Sequence, residues 1–392
     1  MHFKPRVVVT GFIGLFPFGG VAWDYAQYAA GFAKLGWDVL YLEDTGSWPV
    51  YQRECEPSSN VAHVAATMEY FGLVGNWAYR DAVSGRCFGL SQTAVDEFCR
   101  TADIFLNLSC SAPLRDEYAA IPIRALVDTD PMFTQIQYVN DESLSGGPTS
   151  IRALIENHTH HFTFGNNIGD DSCRVPTLDL HWYPTRQPIL LERWPLIETP
   201  AGESRCYSTV MNWNLDRDVV FGGERWGQKD VEFMRVLDLP RRIPEIRLGV
   251  AVSQAPESQF PAAAAREAGW LVFDPASCAH DAQSYQEFIV ASRGEFSVAK
   301  QTYVKAQTGW FSCRSSCYLA AGRPVVTQDT SWSRRLPNGR GLLAFHDQES
   351  AIEALRHVES DPKLHAKAAR SIAHDYFDSS RVLSEMLAVM GC

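Results

Sequence analysis

The sequence predicts an α/β protein built from two doubly wound blocks, and three observations carry that prediction. A short β-branched run, Arg6–Thr10, is followed by a Gly-rich loop, a helical stretch and a second apolar run. That is the order of a βαβ unit with a parallel sheet. After a proline-dense stretch, Tyr183–Pro200, the same alternation starts again at Tyr207. The chain has 392 residues, more than one ordinary domain needs and suited to two.

In the first block, Arg6–Thr10 (RVVVT) reads as a buried strand, because branched side chains on both faces need cover on both sides. A loop, Gly11–Gly20, leads to a helix from about Val21 to Leu35 that Gly36 ends, and Trp37–Glu43 is the next strand. Further strands are expected at Ile104–Leu108, Arg124–Asp128 and His161–Gly165. Between Trp48 and Arg100 only the helical periodicity of Gln92–Arg100 is readable. Proline at the density of Tyr183–Pro200 favours extended backbone and resists helix and central strand, so this stretch reads as a linker.

The second block continues with strands at Tyr207–Trp213, Glu245–Val252, Gly269–Asp274, Val325–Val326 and Leu342–Phe345. Its expected helices are Lys229–Leu237, Ala282–Ser292, Gln348–Val358 and Pro362–Ala373. The expected division is an N-terminal domain over 1–185, a linker over 186–205 and a C-terminal domain over 206–375. A last helix within 376–392 can cross back to the first domain.

Composition excludes several classes. The net charge of −11, with no basic run, offers nucleic acid no footprint. No apolar run approaches the roughly 18 residues of a membrane span. The first residues run straight into a strand rather than a signal peptide. The ten cysteines show no disulfide or zinc framework, so reduced thiols and a cytoplasmic location are expected. Cys313 and Cys317 stand i,i+4, and His158, His160 and His161 cluster, but neither group has companions at ligand spacing. No metal is expected.

The most informative stretch is Gly309–Pro324 (GWFSCRSSCYLAAGRP), continued by VVTQDT. It reads as a loop at Thr308–Gly309, a helix opened by Ser312 with Arg314 in its first turn, a glycine stop at Gly322 and a Pro-led strand. Unpaired N–H groups at such a helix start suit a phosphate or diphosphate, and a guanidinium adds a bidentate fork. An ordinary βα unit with a glycine cap has the same outline. With its Gly-loop and helix ending in an AxGxPVV-like pattern, this part resembles the donor half of GT-B glycosyltransferases. Within that group it looks most like the CgeB-like, spore-protein-type branch. The resemblance implies two Rossmann-like domains with an interdomain cleft, and a nucleoside-diphosphate sugar, UDP-, dTDP- or GDP-linked, as co-substrate without a cofactor. It also implies a small-molecule or glycan acceptor.

The resemblance places the diphosphate and sugar against Gly309, Trp310, Phe311, Ser312 and Arg314. In the segment Asn212–Asp230 it implies a basic residue that neutralises the diphosphate; Lys229 matches best and Arg225 is second. In Ser292–Lys300, Glu295 would accept from ribose hydroxyls and Lys300 would pair with phosphate, and a surface ion pair fits either residue as well. The chain departs from the Glu-(x7)-Glu pair of many retaining relatives: Phe311–Leu319 holds no acidic residue. Stereochemistry therefore stays open.

On the acceptor side, Gly19 and Gly20 let backbone amides approach a ligand without a Cβ in the way, although a simple chain reversal also uses such a pair. Their spacing is not a dinucleotide fingerprint. Candidates for the base that activates an acceptor are Asp24, on the first helix, and Asp128 and Asp130, at the end of the strand RALVD. Asp-Thr-Asp-Pro is equally good turn chemistry. Two other readings use the same architecture: a nucleotide-sugar epimerase or phosphorylase, and a non-catalytic nucleotide-sugar-binding protein.

Overall fold

The structure is a computed structural model that describes residues 4–47, 57–144, 149–196, 206–214, 219–253 and 259–392. Residues 197–205 of the expected linker, 48–56 of the weakly patterned stretch and 215–218 of the Asn212–Asp230 segment lie outside these. Contacts group the chain into two units. One comprises Met1–Gly165, Pro176–Leu190 and Ser379–Cys392, the other Asn166–Val175 and Leu191–Asp378.

The first unit holds strands β1 (Arg6–Thr10), β2 (Asp38–Glu43), β3 (Trp77–Arg80), β4 (Cys87–Gly89), β5 (Ile104–Leu108), β6 (Ile123–Asp128), β7 (His160–Thr163) and β8 (Trp182–Pro184). They form one sheet in the order β4-β3-β2-β1-β5-β6-β7-β8, parallel except for the β3–β4 pair. Helices α1 (Gly19–Lys34), α2 (Ser58–Tyr70), α3 (Gln92–Arg100), α4 (Asp116–Ala119), α5 (Phe133–Val139) and α6 (Ile151–Glu156) flank it. Every residue of β5 is buried, which is why a run as apolar as IFLNL can sit there. Strand β8 runs into the first residues of the proline-rich stretch; it is an edge strand, where a proline ring removes no ladder bond that the sheet needs.

The second unit holds β9 (Tyr207–Asn212), β10 (Val219–Phe221), β11 (Glu224–Trp226), β12 (Leu248–Ser253), β13 (Leu271–Phe273), β14 (Gly294–Ser297), β15 (Val325–Gln328) and β16 (Leu342–Phe345). Six of these make a parallel sheet, β13-β12-β9-β14-β15-β16, and β10–β11 is a separate hairpin. Its helices are α7 (Lys229–Met234), α8 (Leu239–Arg242), α9 (Ala262–Glu267), α10 (Pro275–Cys278), α11 (Ala282–Ala291), α12 (Gln301–Ala306), α13 (Cys313–Ala320), α14 (Gln348–Ser360) and α15 (Pro362–Phe377). The last helix, α16 (Ser379–Met390), packs on α1 in the first unit. Phe233, Trp270, Phe296, Phe345 and Leu355 are among the side chains that fill the core of the second unit.

Helix α13 stops where the sequence says it must. The Gly322 amide donates to Leu319 O at 3.0 Å and the Arg323 amide to Tyr318 O at 2.8 Å, the paired bonds of a Schellman stop. Gly322 stands at φ 67°, and a Cβ there would lie 3.0 Å from Leu196 Cδ2. Gly322→Ala is expected to cost about 1–2 kcal/mol, from the left-handed backbone alone. Urea unfolding checks this; an unchanged midpoint would mean that the stop carries no strain.

Candidate functional site

In the second unit the strand order reverses at β9, which has β12 on one side and β14 on the other. The carboxyl ends of two such neighbours make the crevice where open α/β sheets bind ligands. Arg314, in the first turn of α13, spans these two strands. Its Nε donates to Glu295 Oε1 of β14 at 2.5 Å, and its Nη1 donates to Val210 O of β9 at 2.7 Å. Glu295 is fully buried and Arg314 is 9 % exposed. Two residues expected to hold the ligand, one by ribose and one by phosphate, are each other's partner. The reason is the sheet: a carboxylate inside a central parallel strand must be matched.

At the helix start the Ser312 side chain makes no capping bond. Gly309 adopts φ 72°, and its amide donates to Thr330 O at 2.9 Å. Trp310 packs its ring 4.5 Å from that of Tyr303, while the Lys300 ammonium lies 5.5 Å from the same Tyr303 ring. Phe311 is stacked on Phe377 at 5.4 Å and set edge-on to Trp332 at 5.6 Å. Its ring is therefore held by packing against these two aromatic side chains.

The backbone joins the segments that carry Lys229 and Lys300. Lys229 is the first residue of α7 and Lys300 caps α12. The residues beside them are bonded directly: the Gln301 amide donates to Gln228 O at 3.2 Å, and the Thr302 hydroxyl and amide donate to Gly227 O at 2.9 and 3.1 Å. Gln328 orients the same corner, donating from Nε2 to Glu232 at 2.6 Å and accepting from the Ala299 amide at 3.2 Å. Arg225 sits apart from this junction, exposed on the β10–β11 hairpin, where its carbonyl accepts from Lys305 Nζ at 2.8 Å. Tyr303 and Gln328 carried no signal in the sequence, since neither stands in a recognisable motif.

In the first unit the order reverses at β1, which has β2 and β5 as neighbours. Ser109 and Cys110, just past β5, have φ 58° and 53°. Consecutive non-glycine residues in the left-handed region store strain, which clusters at functional sites. The Tyr25 hydroxyl donates to Ser109 Oγ at 3.1 Å, and Ser109 Oγ and Thr129 Oγ1 share a 2.6 Å hydrogen bond. Helix α1 is thereby tied, through its second turn, to the ends of β5 and β6.

Gly19 and Gly20 are the first two residues of α1, not part of the loop before it. The helix was expected from about Val21, so it starts two residues earlier than the sequence suggests. Asp24 stands on the next turn, partly exposed, with its carbonyl accepting from Gln187 Nε2 at 2.9 Å.

Asp128 is fully buried and takes four hydrogen bonds: Thr134 Oγ1 at 2.7 Å, Thr163 Oγ1 at 2.9 Å, Gln135 Nε2 at 3.0 Å and the Asp130 amide at 3.0 Å. Burial raises its carboxyl above the usual range, against the pull of those bonds. With both oxygens engaged, Asp128 anchors the turn and does not reach out to an acceptor. Asp130, two residues on, is partly exposed.

Glu43 and Asp44, at the end of β2, hold the surrounding loops. Glu43 accepts from the Gly14 amide at 2.7 Å, the Leu15 amide at 2.6 Å and Tyr41 Oη at 3.0 Å. Burial pushes its carboxyl up to about 7. Asp44 accepts from Arg115 Nε and Nη2 at 2.5 and 2.9 Å and from Tyr118 Oη at 2.8 Å.

His158 is a core residue: its Nδ1 lies 2.7 Å from Leu154 O, its Nε2 lies 3.3 Å from Asn107 Nδ2, and burial pushes its pKa down to about 3. Among the described residues no cluster of three or more His, Cys, Asp or Glu could hold a metal ion. No described helix is long and apolar enough to cross a membrane.

No protein-family model and no curated protein matches the sequence. Solved structures do match. A sucrose-phosphate synthase from Thermosynechococcus elongatus is similar over 99 % of this chain and 98 % of its own, with a TM-score of 0.57 at 10 % identity. Anabaena Alr3699/HepE, in complex with UDP and glucose, covers 99 % and 100 % with a TM-score of 0.53 at 9 % identity. A glycosyltransferase from Rickettsia africae ESF-5 covers 99 % and 98 % with a TM-score of 0.51 at 9 % identity. At such identities the likeness is one of fold, and the fold of this chain is the GT-B fold of glycosyltransferases.

Proposed function

We propose that this protein is a glycosyltransferase, of the CgeB-like type that its sequence resembles, moving a sugar from a nucleoside-diphosphate sugar to a small-molecule or glycan acceptor. The C-terminal Rossmann-like domain is the sugar-donor side and the N-terminal one the acceptor side. The observation that carries the reading is the start of α13 at the β9–β14 reversal, with the Lys229–Lys300 junction in the same unit. Main-chain amides at a helix start and two ammonium groups meet the negative charge that develops on a departing diphosphate. They supply the charge neutralisation that a divalent cation provides elsewhere, so the transfer is proposed to be metal-independent. Arg314, clamped between strands, fixes where that helix starts. On the acceptor side Asp24 or Asp130 takes the proton from the attacking hydroxyl, since Asp128 has no oxygen to spare. That HepE was solved with UDP and glucose supports a nucleotide-sugar search.

The test is a thermal-shift panel of UDP-, dTDP-, GDP- and ADP-sugars. At a hundredfold excess over Kd a true ligand stabilises the fold by about 2.7 kcal/mol. Lys300→Ala and Lys229→Ala are each expected to weaken nucleotide binding about ten- to a hundredfold, the worth of a charge-assisted hydrogen bond. No shift with any nucleotide would sink the reading.

A further inference from the structure

The segment Asn166–Val175 belongs to the second unit although it follows β7 in the chain. At its head, Asn167 is fully buried; its carbonyl accepts from the Asp170 amide at 2.9 Å in its own segment, and its amide and side chain are engaged with the loops around α13. Its amide donates to Thr308 O at 3.1 Å. Its Nδ2 donates to Gln307 O at 3.2 Å and to Ser331 O at 3.1 Å, while its Oδ1 accepts from Arg335 Nε at 3.3 Å. The Asn167 amide group also lies 2.7 Å from where a Cβ of Gly309 would stand, so it fills the space that this glycine leaves.

Three residues held at this point are in the left-handed region: Gln307 at φ 51°, Gly309 at φ 72° and Ser331 at φ 69°. For glutamine and serine that backbone is disfavoured and persists only where surrounding bonds impose it. Asn167 takes the carbonyls of both strained non-glycine residues with a single NH2 group. The rest of the segment reinforces the contact: the Arg174 amide donates to Ala306 O at 2.9 Å, and Arg335 Nη2 donates to Asp170 at 2.7 and 2.9 Å.

We propose that Asn167 is a positioning residue that sets the loop Gln307–Ser312, and with it the start of α13, in the conformation that receives the sugar-donor nucleotide. This rests on the sugar-donor reading given above.

The test uses the full chain with Asn167→Ala and Asn167→Asp. The aspartate keeps the shape but turns the two carbonyls towards an acceptor. Hydrogen exchange without ligand should rise at Gln307–Ser312 in both variants, beyond any rise elsewhere. UDP titration, at a temperature where circular dichroism shows each variant folded, should give a Kd weakened at least about tenfold. A lowered melting temperature with a UDP Kd within twofold of wild type would overturn the proposal, because a merely structural asparagine would do that. Unchanged exchange in the loop would also overturn it. If wild type binds none of UDP, dTDP, GDP and ADP, the sugar-donor reading fails and takes the binding claim with it. Loop exchange then decides the positioning claim alone.

Discussion

Glu295→Ala is expected to destabilise the second unit by about 3–5 kcal/mol, the cost of leaving a buried guanidinium without its partner. Arg314 cannot escape to solvent: it is 9 % exposed, and Nη1 is fixed on Val210 O in the neighbouring strand. The pair is not an ideal one. Glu295 Oε2 is buried with no hydrogen-bond partner, and the bridge rests on a single 2.5 Å contact through Nε. Removing both charges is therefore expected to recover most of the loss, as buried pairs exchanged for apolar residues of similar volume often do. Urea unfolding of Glu295→Ala, Arg314→Met and Glu295→Leu/Arg314→Met checks this. A single variant within about 0.5 kcal/mol of wild type would place the pair among ordinary surface ion pairs. The double variant, folded, also separates positioning from binding: nucleotide affinity close to wild type would mean that Arg314 only fixes the helix.

How much of this was legible depends on how local the cause is. Strands β1 and β5 and helix α3 fall at Arg6–Thr10, Ile104–Leu108 and Gln92–Arg100, where the sequence puts them. Each is a short run whose own periodicity and flanks decide it. The α1 start was displaced by two residues, because Gly19–Gly20 reads as a turn when the helix burying Ala22, Trp23 and Ala26 outweighs glycine's propensity. Strands β3 and β4 were invisible: they are short, and β4 exists by pairing with β3. Strand β14 (GEFS) hides for a different reason. A glutamate in a central strand argues against burial until Arg314, 19 residues on, is known to meet it.

The site divides the same way. The helix start at Ser312, the stop at Gly322 and the lysine opening α7 follow from residue types at fixed spacings. What the side chains do there does not. Phe311 belongs to a core with Phe377 and Trp332, Asp128 to a turn with Thr134, Gln135 and Thr163, and Asn167 to a loop 140 residues further along the chain. Such partners are set by tertiary packing, and one sequence carries no record of them.

Glu43→Gln should change the pH dependence of stability, with a sign that follows from burial. The Glu43 carboxyl rises from an ordinary 4.5 to about 7 because it is buried, with the Gly14 and Leu15 amides and Tyr41 pulling the other way. Its protonated form is thus the one that the fold prefers. The contribution is fully present below about pH 4.5 and is lost as pH climbs through 7, a swing on the order of 3 kcal/mol for a shift of that size. The groups facing it are Tyr41 on its own strand and Tyr79 on β3. A glutamine has no charge to desolvate, so its stability curve should lack that component. At pH 4.5 Glu43 is itself a neutral acid with one good acceptor oxygen for the two amides at 2.6 and 2.7 Å, as glutamine would be, so the two proteins should be within about 1 kcal/mol of each other there. By pH 8, where wild type carries the desolvated charge, the variant should be the more stable protein. Unfolding curves for both proteins across that range test it, and two parallel curves would show that Glu43 does not titrate where burial puts it. Because Glu43 holds the loop that runs into Gly19 and Asp24, the same titration tells at which pH the proposed acceptor side is best ordered.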